Sequence, residues 1–255
     1  MGYTLPANYE LGSIAEKVAD DLRTKWNPKT DLGKKIKEGK IVDMNEILDQ
    51  GTPIFETEIV DILVPTLESD LLLIGQAKGK FGGGQRRVFR QTQKKTAEGN
   101  KPNFGTCVVV GNRDGYIGVG YGKGKETVPA RDKAMRRAKL NLRKIRRGCG
   151  SWQCGCGESH SIPYMVEGKC GSIRLQLIPA PKGKGLVAHK EVQKILKLAG
   201  IRDVWCRTFG DTRTTVNVIA ACVDALNRLM SVKIKEHHIT VLGICEGRRG
   251  GAEHV

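Results

Sequence analysis

The chain has 255 residues and carries 43 Lys and Arg against 27 Asp and Glu, a formal net charge of +16. A surplus of that size points to a polyanionic partner, and 39% hydrophobic residues suffice to fill two modest cores. Aromatic residues make up only 5%, which excludes stacking on unpaired bases as the main mode of recognition and favours phosphate contacts with structured RNA.

Leu11, Ile14, Ala15, Val18 and Leu22 follow helical spacing, and Asn27–Pro28 ends that helix. Thr30–Lys40 is basic and reads as irregular, and Met44–Leu48 as a short helical turn, so residues 1–50 form a helical, basic N-terminal extension. The first domain, residues 51–148, opens on the apolar Glu56–Thr66. The segment KGKFGGGQRRVFR then sets three glycines among cations, which predicts a loop that orders against an RNA backbone. QTQKKTAEGNKPNFG, which follows, is polar and turn-rich and reads as an inserted loop. Val108–Val110 predicts a strand, Asn112–Gly115 a turn, and Tyr116, Ile117, Val119 and Tyr121 the returning strand. Glycines at 118, 120, 122 and 124 admit a second backbone at close range, either protein or polyphosphate.

A basic helix is predicted from Val128 to Arg147, with Pro129 in its first turn and Thr127 as its N-cap. Ala130, Ala134, Ala138, Leu142 and Ile145 share one arc; Lys133, Arg136, Arg137, Lys139, Arg143, Lys144, Arg146 and Arg147 share the opposite one. Solvated faces usually mix signs, and Asp132 is the only acid in this helix, so the stripe reads as a nucleic-acid surface. The expected RNA-binding set is Lys78, Lys80, Gly82, Gly83, Gly84, Gln85, Arg86, Arg87 and Arg90 from the loop, with Lys123, Lys125, Lys133, Arg136, Arg137, Arg143, Arg146 and Arg147.

Residues 149–161 form a linker in which Cys149, Cys154, Cys156 and His160 are spaced C-x4-C-x-C-x3-H. Thiolates and imidazole suit tetrahedral zinc, and the intervening glycines let a short chain bend around an ion. Cys170 is a substitute ligand on this reading, while Cys107, Cys206 and Cys222 read as core. With no basic–apolar leader in the first residues, the cysteines are expected to be reduced thiols or ligands in a cytoplasmic protein. The longest apolar runs are too short to span a bilayer.

The second domain, residues 162–230, begins with alternation at Ile173, Leu175 and Leu177. A helical face at Val192, Ile195, Leu196 and Ala199, a strand at Asp203–Arg207, and a helix through Val216, Ile219, Ala220, Val223, Leu226 and Met230 follow. That order implies helices packed on one sheet. Residues 231–255 are a tail. No catalytic residue is predicted: the glycine run is not G-x-G-x-x-G, no Walker motif occurs, and the histidines lack a nucleophile partner. An enzyme that processes double-stranded RNA, using Glu56, Glu58 and Asp61 on a metal, is the alternative from another class, and a free-standing RNA chaperone the third.

Two long stretches, VVVGNRDGYIGVGYGKGKETVPARDKAMRRAKLNL and GSIRLQLIPAPKGKGLVAHKEVQKILKLAGIRDVWCRTFGDTRTTVNVIAACVDAL, resemble the universal S-five family of small-subunit ribosomal proteins. The extension and the linker cysteines resemble its archaeal branch. The resemblance implies an α+β chain: a dsRBD-like α-β-β-β-α domain, then an α/β two-layer domain whose βαβ crossover is left-handed. It implies that Lys78–Arg87 reaches rRNA, that the protein touches ribosomal proteins S-four and S-eight, and that it supports decoding accuracy beside the channel by which mRNA enters. Gln91–Asn103 is longer than the family's usual connection, Lys184 stands in PAP-x-G-x-G where the family carries an uncharged residue, and Ala188–His189 replaces a glycine-rich pair.

Overall fold

The computed structural model describes residues 22–77, 84 and 86–247. The chain divides into two compact units, Met1–Glu68 and Ser69–Val255. Among the described residues of the first unit, three short helices follow the helical stretch at 22–25: α1 (Asp31–Lys37), α2 (Met44–Asp49) and α3 (Thr57–Leu63). The segment that reads as irregular is α1, because Thr30 caps it. Its hydroxyl accepts the Gly33 N–H at 3.1 Å, and Asp31 opens and Lys37 closes a helix whose dipole both complement. Glu56 Oε1 accepts the backbone N–H groups of Lys29 and Thr30 at 2.9 and 2.7 Å. Of the helix expected from Leu11, the part before Leu22 lies outside the described residues; residues 22–25 are helical.

The second unit is built on two larger sheets. The first has the order β1 (Glu68–Leu72), β3 (Gly99–Gly111), β4 (Tyr116–Gly124) and β5 (Leu142–Lys144), with β2 (Arg90–Thr96) also paired to β3. The β3–β4 turn lies where it is expected: Asn112 Oδ1 accepts the N–H groups of Asp114 and Tyr116 at 2.8 and 3.0 Å, and Arg113 takes φ 56°. Register puts Val108 opposite Gly120 and Val110 opposite Gly118, so small and large side chains share one face. Helix α4 (Thr127–Leu140) lies on that face and buries Ala130, Ala134 and Ala138 completely. A Cβ at Gly118, Gly120 or Gly122 would stand 2.2, 2.2 or 2.1 Å from backbone atoms of α4. The second backbone that the glycines admit is therefore this helix, not a polyphosphate.

Two expectations are corrected here. Gln91–Asn103 is not a loop: β2 and the first half of β3 pair in antiparallel register from Arg90↔Gly105 to Thr96↔Gly99. The basic helix stops at Leu140, seven residues short of Arg147. Leu142 is buried in β5 against Gly118, and the chain after Asn141 extends the sheet along the edge of β4. An i+4 apolar residue satisfies both geometries, and the free edge of β4 decides between them.

The second sheet runs β7 (Val166–Cys170), β8 (Ile173–Pro179), β10 (Val204–Phe209), β9 (Leu186–Val187). β9 and β10 are parallel, joined through α5 (Lys190–Leu198), which makes the βαβ unit; β7, β8 and β10 are antiparallel neighbours. Ile173, Leu175 and Leu177 are fully buried, as their alternation requires, and α6 (Thr215–Ser231) covers them with Val218, Ala221, Cys222 and Ala225. Finally α7 (Glu236–Leu242) leads to β11 (Cys245–Glu246), which pairs with β6 (Arg146–Arg147).

The two sheets do not keep separate cores. Leu72, Cys107, Val109 and Ile117, from the face of the first sheet opposite α4, belong to one buried cluster with the strands and helices of the second. The β3–β4 turn adds polar ties: Arg113 N and Gly115 N donate to the carbonyls of Leu198 and Ala199 at the end of α5, at 2.9 and 3.2 Å. Open carbonyls at a helix C-terminus are thus satisfied by a neighbouring hairpin.

Candidate nucleic-acid surface and Cys/His cluster

Because α4 rests its alanines on a glycine ladder, its other side faces solvent. Lys123, Lys125, Arg131, Lys133, Arg136 and Arg137 are all exposed on this helix and the strand end beside it. Glu126 and Asp132 are the acids among them. Arg137 Nη1 donates to the Tyr121 carbonyl at 2.9 Å, which fixes part of the ridge to β4. Arg131 belongs to this ridge and is absent from the expected set; its place after Ala130 is the signal that marks it. Arg143 is exposed on β5 and joins Arg137 in lining a groove of about 670 Å³ between the first sheet and α6.

Arg146 and Arg147 lie elsewhere, because the helix has ended before them. The Arg146 guanidinium donates to the carbonyls of Leu229 and Val232 at 2.7 and 2.8 Å and pairs with Glu246 at 2.6 Å. Arg147 Nη2 pairs with Asp114 at 2.7 Å and donates to the Gly247 carbonyl at 3.0 Å. Both residues are buried. They clamp the end of α6 and the β11 segment, where a cation complements the helix dipole, and they are not on the solvent-facing stripe. Of the loop set, Lys78, Lys80, Gly82, Gly83 and Gln85 lie outside the described residues; Gly84, Arg87 and Arg90 are exposed, and Arg86 donates to the Arg213 carbonyl at 2.8 Å.

The four linker residues expected as ligands come together. Sγ of Cys149, Cys154 and Cys156 and a ring nitrogen of His160 all lie within 4.8 Å of one another. Tetrahedral zinc–thiolate bonds place sulfur atoms roughly 3.8 Å apart, so closure asks for shifts of about an ångström. The histidine is already oriented: Nδ1 and Asp203 Oδ2 are 2.9 Å apart, which leaves Nε2 directed at Cys154 Sγ, 3.8 Å away. Asp203 is itself held, its Oδ1 accepting the Gly185 N–H at 2.7 Å and its carbonyl accepting the Ser161 hydroxyl. A buried carboxylate behind a ligating imidazole is the outer-shell arrangement of metal sites. The Lys182 backbone N–H leads the causes, with that of Cys156, that bring the Cys154 thiol down to about 6, which makes it a thiolate at neutral pH. Burial pushes Cys149 up to about 11. This donor set fits zinc.

Asp203 is invisible to spacing arguments because 43 residues separate it from His160. Cys170 ends β7 opposite Ile173 and is not one of the clustered ligands. Cys107 and Cys222 are buried in the core, burial raising the Cys107 thiol to about 12, and Cys206 is half-buried against it. Cys245 pairs with Arg147 in β11. Among the described residues no helix is long and apolar enough to cross a membrane.

Comparison with known proteins bears on both features. The family model described as "Ribosomal protein S5, N-terminal domain" matches residues 88–146, and "Ribosomal protein S5, C-terminal domain" matches residues 168–238. The Cys/His linker falls between the two matches. Curated relatives named small ribosomal subunit protein uS5 include one from Nanoarchaeum equitans, 50% identical over 87% of this chain and 95% of its own. One from Methanocaldococcus jannaschii is 49% identical over 88% and 96%, and one from Methanococcus maripaludis is 46% identical over 92% and 99%. With both domains present in order and near-complete coverage by archaeal relatives, the chain belongs to the ribosomal protein S5 family, as an archaeal-type member that is a structural protein and not an enzyme.

Proposed function

We propose that the protein holds small-subunit rRNA in place through phosphate contacts, with the exposed ridge of α4 as its principal surface. The observation that carries this reading is the geometry of that helix: one side is alanine packed on glycine, the other exposes Arg131, Lys133, Arg136 and Arg137 with Asp132 as the only acid. A helix so divided is costly unless a polyanion covers it. Lys123, Lys125 and Arg143 extend the same surface, and the Lys78–Arg90 loop is a further proposed contact with rRNA. Proteins S-four and S-eight are the proposed protein neighbours, and the channel by which mRNA enters is the proposed site of influence on decoding. The fold supports that influence, since one core spans both sheets and lets the molecule brace rRNA elements as one piece.

The Cys/His cluster is proposed to hold one zinc ion that closes the linker. The linker residues Trp152, Gln153 and Gly155 are exposed and bury no core of their own, so a crosslink through metal is the economical way to order them. Zinc here locks the linker rather than setting the angle between the sheets, which the shared core already determines.

The test is RNA binding by the full chain to a small-subunit rRNA transcript over a range of salt. Replacing Arg136 and Arg137 with Gln should lower the slope of log affinity against log salt by roughly 0.7–0.9 for each phosphate that is no longer neutralised. An unchanged slope, together with normal incorporation into subunits, overturns the assignment. Elemental analysis of tag-free protein tests the metal: about one zinc per chain is expected, falling in a Cys154→Ser, Cys156→Ser variant.

A further inference from the structure

The hairpin of β2 and the first half of β3 is not explained by the fold. β4 joins β3 only from the Phe104↔Gly124 pair onward, so from Thr92 and Asn103 to the turn at Ala97–Glu98 the two strands have each other as their paired neighbours. At about 3.4 Å per residue, that is roughly 17 Å of two-stranded ribbon. Gln91–Lys95 and Glu98–Pro102 are exposed without interruption on both faces. A two-stranded hairpin with no buried face is marginal in water.

Its charges make matters worse for the isolated chain. Alternation puts Arg90, Lys94 and Lys101 on one face, and Lys94 stands directly opposite Lys101. Like charges in that position repel. Lys101 also pairs with Glu98 at 2.5 Å, but both are exposed, and such a pair is worth little. Glu98, at the turn, is the only acid between Arg90 and Phe104. At the root of the ribbon the positive charge continues: Arg90, Gln91 and Thr92 share a polar cavity of about 420 Å³ with Arg86 and Arg213, and among the described residues no acidic side chain lines it.

We infer that this ribbon is a second RNA-binding element, separate from the α4 ridge, which lays the Arg90–Lys94–Lys101 face along the phosphates of folded rRNA and seats a phosphate in the arginine-lined cavity at its root. A polyanion relieves the Lys94–Lys101 repulsion and supplies the order that the hairpin lacks on its own. A protein strand added to the ribbon edge is disfavoured by the lysines, which are what guards natural strand edges from such pairing. The inference rests on the proposed rRNA-binding function.

The experiment uses the full chain and a transcript of small-subunit rRNA. Lys94→Gln and Lys101→Gln are introduced together; they touch no buried residue, so circular dichroism should match the parent. The slope of log affinity against log salt should fall by roughly 1.4, two phosphates at about 0.7 each. Hydroxyl-radical protection should vanish from one set of nucleotides and persist at the set that an Arg136→Gln, Arg137→Gln variant leaves unprotected. An unchanged slope with unchanged protection in the Lys94→Gln, Lys101→Gln variant, while the α4 variant responds, overturns the ribbon and leaves the rRNA-binding function standing. Absence of specific rRNA binding by the parent chain overturns both. Cross-linking of the ribbon lysines to a protein and not to RNA in assembled subunits also overturns the inference.

Discussion

Replacing Gly120 with Ala separates a packing role for the glycine ladder from a phosphate-cradling one. The added methyl would stand 2.2 Å from the Ala134 carbonyl oxygen and 2.3 Å from the Ala138 nitrogen, against 3.4 Å or more for ordinary contact. Neither atom can rotate away, so α4 must retreat by about an ångström. That loosens Ala130, Ala134 and Ala138 from Val108 and Val110, all fully or almost fully buried. Overpacking against backbone belongs at the top of the usual range, about 3 kcal/mol. The lower entropy of an unfolded chain with Ala returns about 0.5 kcal/mol, leaving a net loss of about 2.5 kcal/mol. For a chain of this size that lowers Tm by roughly 5–10 °C. Thermal unfolding followed at 222 nm reads it. Gly124→Ala is the graded comparison: its nearest backbone atom is 3.0 Å away, so the loss should be about 1 kcal/mol. A Gly120→Ala variant as stable as the parent, but weaker on RNA, would refute the packing role and restore the phosphate one.

Arg147→Ala should cost about 2 kcal/mol in urea unfolding, because it breaks a half-buried pair with Asp114 and a buried bond to the Gly247 carbonyl; its RNA salt slope should stay at the parental value. Asp203→Asn should weaken zinc binding roughly 10–100-fold in chelator competition, since it disturbs the partner that orients His160; unchanged affinity would remove Asp203 from the site. In metal-free protein, alkylation of Cys154 should rise as pH passes upward through about 6, where its lowered pKa converts thiol to thiolate. Cys149, raised to about 11, should stay unreactive over the same range, as read by peptide mass spectrometry.

The sequence alone determined what periodicity and composition can carry. The strands at 108–110 and 173–177, the turn at Asn112–Gly115 and the clustering residues Cys149, Cys154, Cys156 and His160 are all local patterns. Each needs only a few residues at fixed spacing, and each has the expected place in the structure. The charge and the two long motifs were enough to indicate the family. Tertiary structure decided the rest, because the deciding partners are remote in sequence. Asn141 ends α4 and Leu142 turns to strand because the edge of β4, more than twenty residues earlier, lacks a neighbour. Arg146 and Arg147 look like surface cations until Glu246, a hundred residues on, and Asp114 close around them. Asp203 acquires its role only when the fold carries it to His160. The polar segment 91–103 has no hydrophobic period to announce a strand, and its ribbon is held by backbone hydrogen bonds that no side-chain pattern records.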